Sequence, residues 1–257
     1  MYLVSIIMDT EIATPPAIEG GFAPPAEQQP APADNRRLRG FELGLVLLVA
    51  FGNFFLNSFS YFAGVRAPIP ANSSQNMRWT AALIQEAIAL LLLGYVLSRR
   101  KLRIRDLGLR WSFRELRPGV LVAVASYTAY TVGYLALNAL HRRLFGSAAR
   151  DVNLHSIFGF ATIMMLVFSL LNPFFEELIV RAYLMTEVKN LTGSWFLAAL
   201  VSTAVQISYH IYYGWTMALA LGFQFLVFSI YYARTQRAMP VVFAHGVFDF
   251  IGVFQLI

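Results

Sequence analysis

The chain has 257 residues, 58% hydrophobic and 13% charged, with a mean hydropathy of +0.58 and a net charge of +6. Soluble domains run near about 45–50% apolar and about 25% charged, which excludes an ordinary soluble domain. Only two of the 20 basic residues are Lys, and most Arg sit just beyond apolar blocks, so the charge reads as topogenic and excludes a nucleic-acid binder. The absence of cysteine excludes disulfides, Cys-ligated zinc and thiol nucleophiles.

In chain order, residues 1–35 come first and stand apart. Thr14 to Asp34 is rich in Pro, Ala, Gly and Gln and has too little apolar surface to fold, so a disordered tail is expected. Met1–Met8 is apolar but lacks a basic flank and is too short for a signal peptide; Met8 is an alternative start. Apolar blocks then follow at about Phe41–Phe62, Trp79–Leu97, Pro118–Leu140, Ile157–Glu187, Trp195–Tyr212, Thr216–Tyr232 and Pro240–Leu256. Blocks of about 20 residues can each cross the hydrocarbon core as a helix. The expected fold is therefore all-α, a polytopic transmembrane helical bundle of seven to eight spans. The uncertainty in number lies in the fourth block. It is too long for one straight crossing, and Pro173 inside it can kink or divide it. Residues 36–150 read as N-terminal transmembrane helices and 151–257 as a second transmembrane domain.

Basic loops set the orientation. The segment from Arg99 to Arg117 carries seven Arg and one Lys, which places it, and the N-terminus, on the cytoplasmic side. A plasma or inner membrane is the expected location. The loop Lys101–Arg117 is expected to be a solvated anchor held by anionic headgroups, with an amphipathic interfacial segment as the other reading.

Charges inside a bilayer are costly, rare and usually functional. Apart from Glu42 at the edge of the first block and Glu86 in the second, they fall in the C-terminal half: Glu176, Glu177 and Arg181, then His210, then His245 and Asp249. Glu176 and Glu177 are about 100° apart on an α-helix and cannot face one point. Glu177 and Arg181 are spaced i, i+4 in the favourable order, leaving Glu176 free to look into a cavity as a general base. His245 and Asp249 also share a face at i, i+4, and Gly246 between them offers a close approach to a neighbour. Of the polar neighbours of His210, only Gln206 shares its face. Each feature has a structural reading too: the Glu–Arg pair as a clamp, His210 as an interfacial ring, His245–Asp249 as a helix–helix staple, Glu86 as structure or cavity lining. Their coincidence on three helices favours a site.

The ordered set Glu176-Glu177-x-x-x-Arg181, His210, then His245-Gly246-Val247-Phe248-Asp249 resembles the CPBP family, the CAAX prenyl endopeptidases and bacteriocin-processing or immunity proteins also called the Abi domain. The resemblance runs from about Ile157 to the C-terminus. Three positions depart from the family pattern: Gln206 stands where an aromatic is usual, Val180 and Ala182 flank Arg181 in place of Phe and Gly, and Asp249 stands where many members have Asn. The resemblance implies an intramembrane endopeptidase acting on a membrane-associated protein or peptide in the lipid bilayer. Glu176 and His210 would activate a water. His245 and Asp249 would serve the oxyanion, with Asp249 orienting His245. A metal is left open: Glu176, His210 and His245 match the ligand types of a catalytic zinc site, yet a metal-free glutamate mechanism is also proposed for the family. The alternatives are a non-catalytic immunity or scaffold protein of the same fold and a small transporter.

Overall fold

The computed structural model describes residues 36–64, 75–148 and 154–256; the Pro-rich tail lies outside them. Among the described residues there is no strand, and every apolar block is a helix. These are α1 (Arg36–Phe62), α2 (Gln75–Arg99), α3 (Leu116–Phe145), a short α4 (Leu154–Phe158), α5 (Ile163–Glu176), α6 (Met185–Thr192), α7 (Trp195–His210), α8 (Trp215–Thr235) and α9 (Met239–Phe254). Five stretches among the described residues are long and apolar enough to cross a membrane: α1, α2, Phe113–Phe145, Ile163–Thr192 and α8. Helices α7 and α9 are apolar but shorter, 16 residues each. The chain is an all-α, multi-pass integral membrane protein.

The fourth block is one rod, not two spans. Residues Ile163–Thr192 run continuously through Pro173, with a π-helical stretch, Glu177–Leu184, between α5 and α6. It starts later than the apolar block, because Thr162 caps α5 by accepting the Met165 N–H with its hydroxyl. At its other end Gly193, at φ +78°, donates to the Lys189 carbonyl and closes α6; Ser194 then caps α7. Rod and α7 thus form a tight antiparallel hairpin. A π-helix is rare and tends to mark functional sites. Two neighbouring hydroxyls engage carbonyls of this one: Ser202 donates to Val180 O (3.0 Å), and the Tyr232 hydroxyl shares its one proton between Ala182 O (3.3 Å) and the shorter contact to Leu107 O. Satisfying backbone groups matters most where water is scarce.

The rod is the centre of the bundle. Of its best spanning window 56% is buried in the protein, against 22% to 28% for α1, α2 and α3, whose large apolar side chains face outward as lipid-facing helices must. Helices α2, α7 and α9 pack directly on it, and α3 lies against α8 and α9. At the basic end, Glu42 of α1 and Glu187 of α6 are both buried. Arg100 bridges them, bonding Glu42 and reaching Glu187 at 2.7 Å, with Arg99 3.5 Å from Glu42. Glu42, at the edge of the first apolar block, is thus held in this network.

The basic loop is docked rather than wholly solvated. Leu107 is buried in the main core, its carbonyl accepts from the Tyr232 hydroxyl (3.0 Å), and the Gly108 carbonyl accepts from Ala238 N (3.0 Å). Gly108 has φ +86°, and a Cβ there would lie 1.9 Å from the Gln236 carbonyl oxygen. Gly246, by contrast, is not a tight contact: a Cβ would meet Pro173 at an ordinary 3.7 Å.

Candidate active site

The two adjacent glutamates sit at the junction of α5 and the π stretch, and both are buried. They point to different partners. Glu176 Oε2 accepts from the Tyr209 hydroxyl (2.8 Å) and from Gln206 Nε2 (2.9 Å), both on α7. Glu177 Oε1 lies 2.8 Å from His245 Nδ1 on α9, and its Oε2 is 3.4 Å from Arg181 Nε. The expected Glu177–Arg181 pair is present, but Glu177 also reaches across to α9.

Arg181 is fully buried, which in a bilayer demands compensation. It has several sources: the Glu177 carboxylate, a hydrogen bond to Ser202 Oγ (3.0 Å), another to Gln206 Oε1, and the rings of Phe225 and Phe228, each centred 5.8 Å from the guanidinium carbon. Gln206 is therefore a hub. Its carbonyl oxygen takes Arg181 and its amide gives to Glu176, so the residue that departs from the family pattern ties the clamp to the free glutamate.

His210 ends α7. Its Nδ1 lies 2.8 Å from the Gln206 carbonyl, which can only accept, so Nδ1 donates. In the neutral ring Nε2 then carries the lone pair. The ring packs on Tyr209 and Phe225. His245 is buried on α9, with Asp249 Oδ1 3.5 Å from its Nε2, as the i, i+4 spacing predicts. Asp249 Oδ2 accepts from Asn172 Nδ2 of α5 (3.2 Å). Only a doubly protonated ring can donate to both Glu177 and Asp249.

All six expected residues thus belong to one cluster, with Glu176, Glu177, Arg181 and His245 buried and His210 and Asp249 partly exposed, and the charges of Glu176, His210 and His245 are near enough to interact pairwise. The hairpin sets the depth of Glu176 and His210. Glu176 lies seventeen residues before Gly193 and His210 seventeen after it, so the two arms bring them to one height. Residues added by the structure are Gln206, Tyr209, Ser202 and Asn172. Gln206 shares a helix face with His210, and the same i, i+4 spacing joins Ser202 to Gln206 and Asn172 to Glu176; Tyr209, set between Ser208 and His210, carries no such signal.

A zinc ion would need one lone pair from each of Glu176, His210 and His245 directed at a common point. Glu176 Oε2 is taken by two donors and each imidazole Nδ1 faces an oxygen, which leaves Glu176 Oε1 and the two Nε2 atoms as the groups available to a metal. Among the described residues no group of three or more His, Cys, Asp or Glu is placed to hold a metal ion. As placed, the three do not fit zinc.

Beside the cluster, an apolar groove of about 240 Å³ runs between α5, α9 and the start of α3, past Pro173, Phe174, Gly246 and Phe250 to the exposed Trp111 and Phe113. A larger groove, about 840 Å³, lies between α1 and α2 and is lined by no ionisable side chain.

Residues 158–251 match the family model described as type II CAAX prenyl endopeptidase Rce1-like. The match takes in every residue of the cluster above and leaves α1, α2 and α3 outside it. Neither the curated proteins nor the solved structures yield a match to this chain.

Proposed function

From the match of residues 158–251 to the Rce1-like model of type II CAAX prenyl endopeptidases, we propose that this protein is an intramembrane endopeptidase that hydrolyses a peptide bond of a membrane-associated protein or peptide. The observation that carries the reading is the gathering of Glu176, His210 and His245, from three helices, into one cluster in the middle of the bundle.

Glu176 is the base. Oε2 is fixed by Tyr209 and Gln206, so Oε1 is the oxygen left to take a proton from water. His210 Nε2, an acceptor in the neutral ring, holds the second hydrogen of that water. The water oxygen attacks the scissile carbonyl carbon and its proton passes to Glu176. The carbonyl oxygen becomes an oxyanion, which His245 Nε2–H stabilises. That contact to Asp249 is the looser of the two made by the ring, while Glu177 holds Nδ1 firmly. Donors preset toward developing charge are usually a large catalytic effect. Collapse breaks the C–N bond, and the proton on Glu176 moves to the leaving amine. Asp249 acts by orienting His245; as an anion it would oppose the oxyanion directly, and Asn172 holds it to one side. The groove past Pro173 and Gly246 suits an apolar, lipid-like portion of the substrate, with the peptide end reaching the cluster.

A second reading, a non-catalytic scaffold or immunity protein of the same fold, draws support from the two donors already seated on Glu176 and from its link to the Arg181 clamp. The experiment that separates the two compares newly formed peptide termini in membranes carrying wild type or Glu176→Gln at matched expression. Wild-type-specific termini are expected, with the variant slower by at least about 100-fold, the range of a lost general base. Identical termini in both, with both proteins inserted and folded, would leave the scaffold reading.

A further inference from the structure

Glu86 lies on α2, outside the segment that matches the family model, and the mechanism above makes no use of it. It is 6% exposed, and its Oε1 has no hydrogen-bond partner among the described residues. Its position in the bundle follows from its helix. Trp79, two turns earlier on the same face, packs on Phe168 of α5, and α2 runs on along α5 from there. Two turns further, Glu86 stands beside the part of α5 that carries Asn172 and Glu176. It lies within electrostatic reach of Glu176, Asp249 and His245.

A buried carboxyl with a free oxygen costs stability, and native proteins hold few such groups. In a membrane helix the usual reason for keeping one is function. The chemistry of the site supplies that reason. A peptide cleaved inside the bundle must be unwound there, and each of its N–H groups then needs an acceptor that lipid cannot give. Resting on the protease reading, we propose that Glu86 is a substrate-positioning residue: its free Oε1 accepts a backbone N–H of the peptide beside the bond being cleaved. The α2 wall of the site thereby contributes to substrate recognition.

The test uses the full-length protein in lipid nanodiscs with a prenylated CAAX peptide, comparing wild type, Glu86→Met and Glu86→Gln. Three quantities are measured: peptide binding, kcat and KM for cleavage, and the thermal midpoint. Glu86→Met removes the acceptor and should weaken binding and lower kcat/KM by roughly tenfold, the scale of a buried hydrogen-bond partner left unsatisfied. Its thermal midpoint should be equal or higher, since replacing an unpaired buried acid by an apolar side chain is neutral or stabilising. Glu86→Gln keeps an acceptor oxygen and should recover most of the binding. Unchanged binding in Glu86→Met overturns the proposal, as does a lowered midpoint, which would make Glu86 a structural group. A Glu86→Gln variant as impaired as Glu86→Met also overturns it. If the wild type binds the peptide without cleaving it, the protease reading fails alone, and Glu86 is judged by binding; if it does not bind, both fall.

Discussion

Gln206 is the side chain on which the site turns. It is fully buried and bonded at both ends of its amide, to Arg181 and to Glu176. Gln206→Leu would strip both ions of a partner at once. Loss of a buried hydrogen bond to a charged group costs about 1.5–3 kcal/mol, so the variant should unfold at lower temperature in detergent by that order and lose cleavage with it. A variant as stable and active as wild type would mean that the bridge contributes nothing. The contrast with its neighbours says what the sequence could reveal. Glu177–Arg181 and His245–Asp249 are i, i+4 pairs, and local spacing is enough to find them. Glu177–His245 joins positions 68 apart, and the Gln206 bridges span 25 and 30. No helical period encodes such contacts. Gln206 looked like a flaw in a family pattern because its value is tertiary.

Among the elements, the rod Ile163–Thr192 and its hairpin with α7 were only partly readable. The apolar run beginning at Ile157 suggested one long or two short spans, since a membrane helix is recognised by hydropathy and its true start by a cap. Thr162 moves the start to Ile163, and the π stretch after Glu176 shows in no apolar period. Span existence, in contrast, followed directly from block length, and every block became a helix. The basic loop keeps its Arg side chains exposed, as expected, while its docking at Leu107 and Gly108 depends on backbone contacts, which composition does not record. Those contacts make a sharp prediction. Gly108 needs a positive φ and has no room for a Cβ against the Gln236 carbonyl. Gly108→Ala should lower stability by about 1–3 kcal/mol, the cost of forcing a strained backbone, read as a drop in the thermal midpoint. An unchanged midpoint would show the loop to be free.

For the whole molecule, the distribution of basic residues bears on orientation. The Arg99–Arg117 segment outweighs the opposite side in positive charge, and from this we expect it to face the cytoplasm. The chain has no cysteine, so single cysteines introduced into it are unique probes. In intact cells a membrane-impermeant maleimide should label Arg143→Cys, at the end of α3, and leave Lys101→Cys untouched until the cells are permeabilised. The reverse pattern would invert the topology and put the groove mouth at Trp111 on the outer side. The bundle also divides labour. Its outer helices present apolar side chains to lipid, while nearly all intramembrane ionisable groups are carried by the central rod and the helices packed on it.

The equal arms of the hairpin about Gly193 have a consequence for how the chain tolerates changes of length. Extra residues at the turn leave Glu176 and His210 level, because both arms are displaced together. A single residue inserted within one arm, between Glu176 and Gly193 or between Ser194 and His210, shifts that arm by about 1.5 Å and swings its side chains by about 100° relative to the other. The same insertion therefore changes almost nothing at position 193 and dismantles the acid–imidazole pairing a few residues away.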